Sequence, residues 1–129
     1  MAKAKIMIVE DEAITAVSIR RVLMIQGYEV CELAATGEQA IERVEKERPD
    51  LVLMDILLAG SMDGIEAARE IQRRLDIPVV FLTGYHDEDL LEKTRHLKSV
   101  SFLLKPFNPQ DVQWEIDQAL QKHTRKKRG

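Results

Sequence analysis

Only one cysteine, Cys31, occurs among the 129 residues, so no disulfide can brace the chain from within. A lone thiol fits a reducing compartment, and the cytoplasm is the expected location. No apolar run approaches the roughly 20 residues that a membrane-spanning helix needs, and none resembles a signal peptide. Neither sign of charge dominates. The 19 basic and 22 acidic residues leave a formal charge of -3, which gives no general attraction to nucleic acid or to a membrane surface. Internal repeats, low-complexity segments and linkers are also missing. What remains is an ordinary globular composition, 45% apolar and 32% charged, at a length that suits one domain with a real core.

Strand-like and helix-like patterns alternate five times along that length. Apolar runs at residues 5–9, 29–35, 50–54, 78–82 and 101–104 read as strands. Helical periodicity fills residues 12–26, 37–47, 64–75 and 87–96, and resumes from Pro109, a residue favoured in a first helical turn. Gly27 marks the end of the first helix. Strict alternation of this kind predicts an α/β fold: a (βα)5, doubly wound, flavodoxin-like parallel sheet of order 2-1-3-4-5. Ligands bind such sheets at the C-terminal strand ends, in the crevice where strands 1 and 3 part.

Those two strands end in acids. Glu10, Asp11 and Glu12 follow Val9, and Asp55 follows Met54. Carboxylates gathered at one edge repel unless a proton or a cation lies between them. An all-oxygen set favours a hard divalent ion, Mg²⁺ or Mn²⁺. The bland alternative is a group of solvated strand-end acids. Lys105, after the run Phe102-Leu103-Leu104, weighs against it by supplying a cation at the same edge, on a backbone that Pro106 biases toward extended geometry. Thr83 ends the fourth strand with a hydroxyl donor, and Gly84 lets an anion approach the backbone. Together these residues suit phosphoryl transfer onto Asp55, a carboxylate nucleophile whose product is an acyl phosphate.

Taken in order, Val9-Glu10-Asp11-Glu12, Met54-Asp55, Met62-Asp63-Gly64-Ile65-Glu66-Ala67-Ala68, Leu82-Thr83-Gly84 and Leu104-Lys105-Pro106-Phe107 resemble the receiver domain of two-component response regulators. The likeness runs from about Ala4 to Lys122 and implies a receiver domain at residues 1–122 with a basic tail at 123–129. It implies that Asp55 accepts phosphate from a sensor histidine kinase or phosphotransfer protein. It also implies metal ligation by Glu10, Asp11, Asp55 and the Leu57 carbonyl, phosphoryl contacts from Thr83, Gly84 and Lys105, and a switch pair in Thr83 and Phe102. The implied protein is a signalling switch rather than an enzyme, with weak self-phosphorylation from small donors.

Several positions depart from the family pattern or extend it. The loop from Ile56 to Asp63 lacks the usual proline and is one residue longer. Leu57 cannot hydrogen-bond a hydrolytic water and Tyr85 could cover the phosphoryl group, so slow self-dephosphorylation is expected. The first helix carries a core stripe (Ala16, Ile19, Leu23) and a second apolar stripe (Ile14, Val17, Met24), which faces either a partner or the last helix. Trp114 lies off the apolar stripe of the last helix. By resemblance, these surfaces meet the kinase, an output partner that the sequence does not name, or a second copy after phosphorylation. Neither a membrane nor nucleic acid is an expected partner. The competing readings are a pseudo-receiver that binds partners without phosphorylation, a module from a longer hybrid kinase or transcription regulator, and an aspartate-nucleophile phosphatase, which would need an acid where Leu57 stands. His86, His96 and His123 suggest no site.

Overall fold

The computed structural model describes residues 3–58, 60–84 and 88–128, with backbone alone at residues 88, 90, 91 and 125–128. The order of elements is β1 (Lys5–Val9), α1 (Ala13–Ile25), β2 (Glu29–Val30), α2 (Gly37–Glu47), β3 (Leu51–Asp55), α3 (Gly64–Arg74), β4 (Val79–Thr83), α4 (Glu88–Thr94), β5 (Val100–Leu104) and α5 (Pro109–Arg128). All strand pairs are parallel, in the order β2-β1-β3-β4-β5. This is the expected doubly wound sheet.

The period-2 geometry of a strand divides its side chains between two cores. Ile6 and Ile8 of β1, Leu51 and Leu53 of β3, and Val80 and Leu82 of β4 pack against Ile19 and Leu23 of α1 and Val112 and Ile116 of α5. The alternate residues Met7, Val9, Val52, Met54, Val79 and Phe81 pack against Ala40 and Val44 of α2 and Ala67, Ala68 and Ile71 of α3. Burial on both faces explains why these strands read as unbroken apolar runs instead of alternating ones.

Local signals set the helix ends. Gly27, at φ +96°, follows α1, and Tyr28 N–H returns to the Leu23 carbonyl at 3.0 Å. That bond satisfies a carbonyl that the helix end would otherwise orphan. The Thr36 side chain caps α2. Asp63 and Glu66 close a reciprocal capping box at the start of α3, with bonds of 2.8 and 3.2 Å.

One element differs from the sequence expectation. The regular part of β2 is Glu29–Val30, not 29–35. Beyond it, Cys31 N–H bonds the Ile6 carbonyl and Ala34 N–H bonds the Ile8 carbonyl. Three residues on this side span two on β1, so one residue is extra and the ladder is broken as at a bulge. As cations favourable near a negative dipole end suggest, the basic segment is the end of a helix: α5 continues without interruption through residue 123 to Arg128.

Candidate functional site

The parallel register brings the acids together. Pairing of Val9 with Met54 sets Glu10 and Asp55 one residue further along, at the same edge. Asp55 is itself the last residue of β3, beside Leu82 of β4. Glu10, Asp11 and Asp55 each offer an oxygen within 4.8 Å of the others. Glu10 and Asp55 are buried, while Asp11 is exposed.

Lys105 reaches the same point from β5. Its backbone N–H bonds the Thr83 carbonyl at 2.8 Å, which extends the β4–β5 pairing past Leu104. Its Nζ lies 3.6 Å from Glu10 Oε1 and 3.9 Å from Asp55 Oδ2. Each acid has some help from the backbone. Leu57 N–H donates to Asp55 Oδ1 at 3.1 Å, and Glu12 N–H approaches Glu10 Oε2 at 3.5 Å.

That help is incomplete. Glu10 Oε1 is shielded from solvent and has no hydrogen-bond partner. Burial first, and then the neighbouring Asp55 carboxylate, push the Glu10 carboxyl up to about 8, and Lys105 only partly opposes this. An acidic pocket with an unsatisfied inward oxygen fits a hard cation, which would supply the missing partner. Glu10, Asp11 and Asp55 are the side chains available to hold it.

Of the remaining expected residues, Thr83 is buried at the end of β4 and Gly84 is exposed. Phe102 is half-buried and stacks on Phe81, with ring centroids 5.8 Å apart. Leu57 is 69% exposed, whereas Leu58 turns inward and is buried. Gly60 takes φ +105°, a left-handed conformation that glycine adopts freely, so the long loop bends there. Tyr85, Ala59 and His86 lie outside the described residues. The second stripe of α1 does not fold under the last helix: Ile14, Val17 and Met24 are exposed, as is Trp114 on α5.

Two residues near or away from the site were not legible as such. Gly64 lies against the strand that carries Asp55, and a Cβ there would fall 2.2 Å from the Asp55 carbonyl oxygen. Its N–H bonds the Ile56 carbonyl at 3.0 Å and closes the loop behind Asp55. The Asp63-x-x-Glu66 capping signature was the sequence clue to this junction. His123, which suggested no site, bonds both Ser99 and Asp76.

The sequence model of the response regulator receiver domain matches residues 6–117. Transcriptional regulatory protein PdtaR of Mycobacterium tuberculosis is 37% identical over 108 residues, covering 84% of this chain and 52% of that protein. Sporulation initiation phosphotransferase F of Bacillus subtilis is 35% identical over 114 residues, covering 87% of this chain and 90% of that protein. The chain thus spans about half the length of some of the curated relatives it matches and nearly all of another. Among solved structures, the N-terminal domain of a response regulator/sensory box/GGDEF protein from Carboxydothermus hydrogenoformans superposes with a TM-score of 0.86 at 38% identity, covering 95% of this chain and 98% of that one. A CheY-like receiver domain protein from Methanospirillum hungatei gives 0.86 at 28% identity, covering 95% and 97%.

Proposed function

The chain belongs to the response regulator receiver domain family, and on that premise we propose that Asp55 is its phosphoacceptor, charged by a sensor histidine kinase or phosphotransfer protein. The observation that carries this reading is the meeting of Asp55, Glu10, Asp11 and Lys105 at one strand edge, with Asp55 buried and Lys105 Nζ at 3.9 Å. An Asp55 oxygen attacks phosphorus, the P–N bond of the donor phosphohistidine breaks, and the leaving imidazole keeps the electron pair and takes a proton. Lys105 balances charge on the arriving phosphoryl oxygens, and the Thr83 hydroxyl and Gly84 N–H donate to them. A divalent ion held by Glu10, Asp11, Asp55 and the Leu57 carbonyl supplies further charge neutralisation when bound.

Switching follows as a population shift. Phosphate on Asp55 favours the arrangement in which Thr83 closes on it and Phe102 follows by changing its packing, since Phe102 has no hydroxyl to bond. The α4, β5 and α5 surface then presents a different face, which includes Trp114. Exposed Ile14 and Val17 belong to the surface offered to the phosphodonor. A Trp114→Ala variant should lose output binding or phosphorylation-dependent dimerisation while still accepting phosphate. Leu57 provides no group to orient water, so the acyl phosphate persists for longer than seconds, and a variant with Asn at 57 and Glu at 85 should shorten that lifetime.

The test is incubation with Mg²⁺ and a small phosphodonor, followed by intact mass. A gain of one phosphate that is lost in Asp55→Asn is the expected result. No gain with the donor or with any sensor kinase would replace this reading with that of a pseudo-receiver.

A further inference from the structure

Phe81 of β4 and Phe102 of β5 are direct partners in the parallel register. Both side chains pack into the core on the α2 and α3 side of the sheet. Phe81 is fully buried there and Phe102 is half-buried, with the two rings stacked at a centroid separation of 5.8 Å and an interplanar angle of 30°. The main chain beneath the pair is fixed. β4 and β5 stay in register from Val79 and Val100 to Thr83 and Leu104. Val79 N–H bonds the Ser99 carbonyl before that stretch and Lys105 N–H bonds the Thr83 carbonyl after it, each at 2.8 Å. Movement at Phe102 is therefore a side-chain rotation and not a strand shift. The ring also has a second place to go. Phe102 lines a surface cavity of about 380 Å³ together with Leu104, Pro106 and Trp114. A cavity of roughly 150 Å³ holds benzene, so this space admits a phenyl ring.

We propose that Phe81 is a positioning residue of the switch: it seats the Phe102 ring inward by stacking, so that the β5 half of the switch is set in advance and phosphate on Asp55 completes it. This rests on the reading of Thr83 and Phe102 as the switch pair. The direction follows from the register. Side chains alternate along a strand, so Thr83 lies on the same face as Phe81, two residues further along β4. Its partner is Leu104, two residues beyond Phe102. Asp55 belongs to β3, across β4 from β5. A Thr83 side chain that closes on Asp55 thus moves away from Phe102 and clears room over Phe81. Phosphorylation and stacking on Phe81 favour the same ring position. The stacking, however, comes from a core side chain and not from the carboxylate edge, so it acts whether or not Asp55 carries phosphate. An aromatic pair gains enough beyond its buried area to shift such an equilibrium about two- to tenfold. With the ring inward, the cavity beside Trp114 is left to a partner's side chain.

Selective ring labelling of phenylalanine tests the seat directly. The chain has three phenylalanines, and the third, Phe107, packs against the core on the other face of the sheet. In the full chain without phosphodonor, a ring-to-ring NOE between Phe81 and Phe102 is expected, and its absence would overturn the proposal. Trp114 is the one tryptophan and lies on the cavity, so its emission reports where the Phe102 ring sits. Treatment with Mg²⁺ and acetyl phosphate, with intact mass on the same sample, should change that emission only slightly in the parent. Phe81→Leu removes the stacking partner, so Phe102 turns outward more often before treatment. The emission change on phosphorylation should then be at least about twice the parent's. Phe81→Met is the second variant, used if leucine prevents folding. Adding Phe102→Leu should abolish the enlarged response, which ties it to that ring. An emission change no larger than the parent's at equal phosphate gain, or one that persists without the Phe102 ring, would sink the role given to Phe81. No mass gain in the parent would instead remove the phosphoacceptor reading and the regulatory role with it, while the NOE still decides whether the seat exists.

Discussion

Replacing Gly64 with alanine adds one methyl group at the point where α3 meets the strand bearing Asp55. The new Cβ would fall 2.2 Å from the Asp55 carbonyl oxygen, 2.9 Å from Ile56 Cα and 3.1 Å from the Asp55 carbonyl carbon. All three neighbours are backbone, so no side chain can rotate away. Restoring an ordinary contact takes about an ångström of separation between the helix start and the strand end. Overpacking of this kind costs about 1–3 kcal/mol, and the upper part of that range applies where only backbone can yield. Alanine's helix propensity returns a fraction of about 1 kcal/mol, since the position is the first of the helix. The net expectation is a loss of about 2 kcal/mol, read as a lower urea midpoint with an unchanged slope. Gly84→Ala is the control, because a Cβ there meets no atom of the described residues within 4 Å. It should stay within about 0.5 kcal/mol of the parent. If Gly64→Ala also stays within that margin, the close-approach explanation of Gly64 is wrong. The same displacement moves Asp55, so the phosphate gain in Gly64→Ala should fall even where the protein remains folded.

The raised Glu10 carboxyl carries a pH signature. Its folded value of about 8 lies above the unfolded 4.5, so its contribution to stability is complete below 4.5 and is lost as pH rises through 8. Metal-free protein should therefore have a higher urea midpoint near pH 5.5 than near pH 8.5, saturating Mg²⁺ should reduce or invert the difference, and Glu10→Gln should flatten it. Burial, with a smaller contribution from Glu47, pushes the Cys31 thiol up to about 12. Alkylation at pH 8 should be slow in native protein and fast in urea; equal rates would mean that the thiol is open to solvent. Tyr28→Phe removes the 2.8 Å bond to Asp117 that ties the start of β2 to α5, and should cost about 1 kcal/mol in the same urea assay.

Much of the fold was readable because its signals are local. Each apolar run is a strand, since a parallel sheet covered on both faces needs no polar alternation. Gly27 ends α1 where the left-handed turn requires it. The bulge after Val30 was not readable, because an extra residue on an edge strand leaves the apolar run unchanged while breaking the ladder. For the candidate site, the acids and Lys105 were legible from their positions just past apolar runs. Gly64 looked like part of a motif, and its tight fit against Asp55 depends on how α3 returns to β3. His123 lay in a basic run and gave no sign of its bonds to Ser99 and Asp76, residues 24 and 47 positions away in the chain.

By itself the sequence determined the alternation of elements, the parallel order and the residue types at the strand ends, because hydrophobic period, turn residues and crossover handedness are short-range constraints. Tertiary structure alone decided which oxygen lacks a partner, how far Lys105 reaches, and how closely Gly64 presses on Asp55. Those outcomes depend on distances between segments far apart in the chain. They are set only when the two cores close and water is excluded from the groups between them.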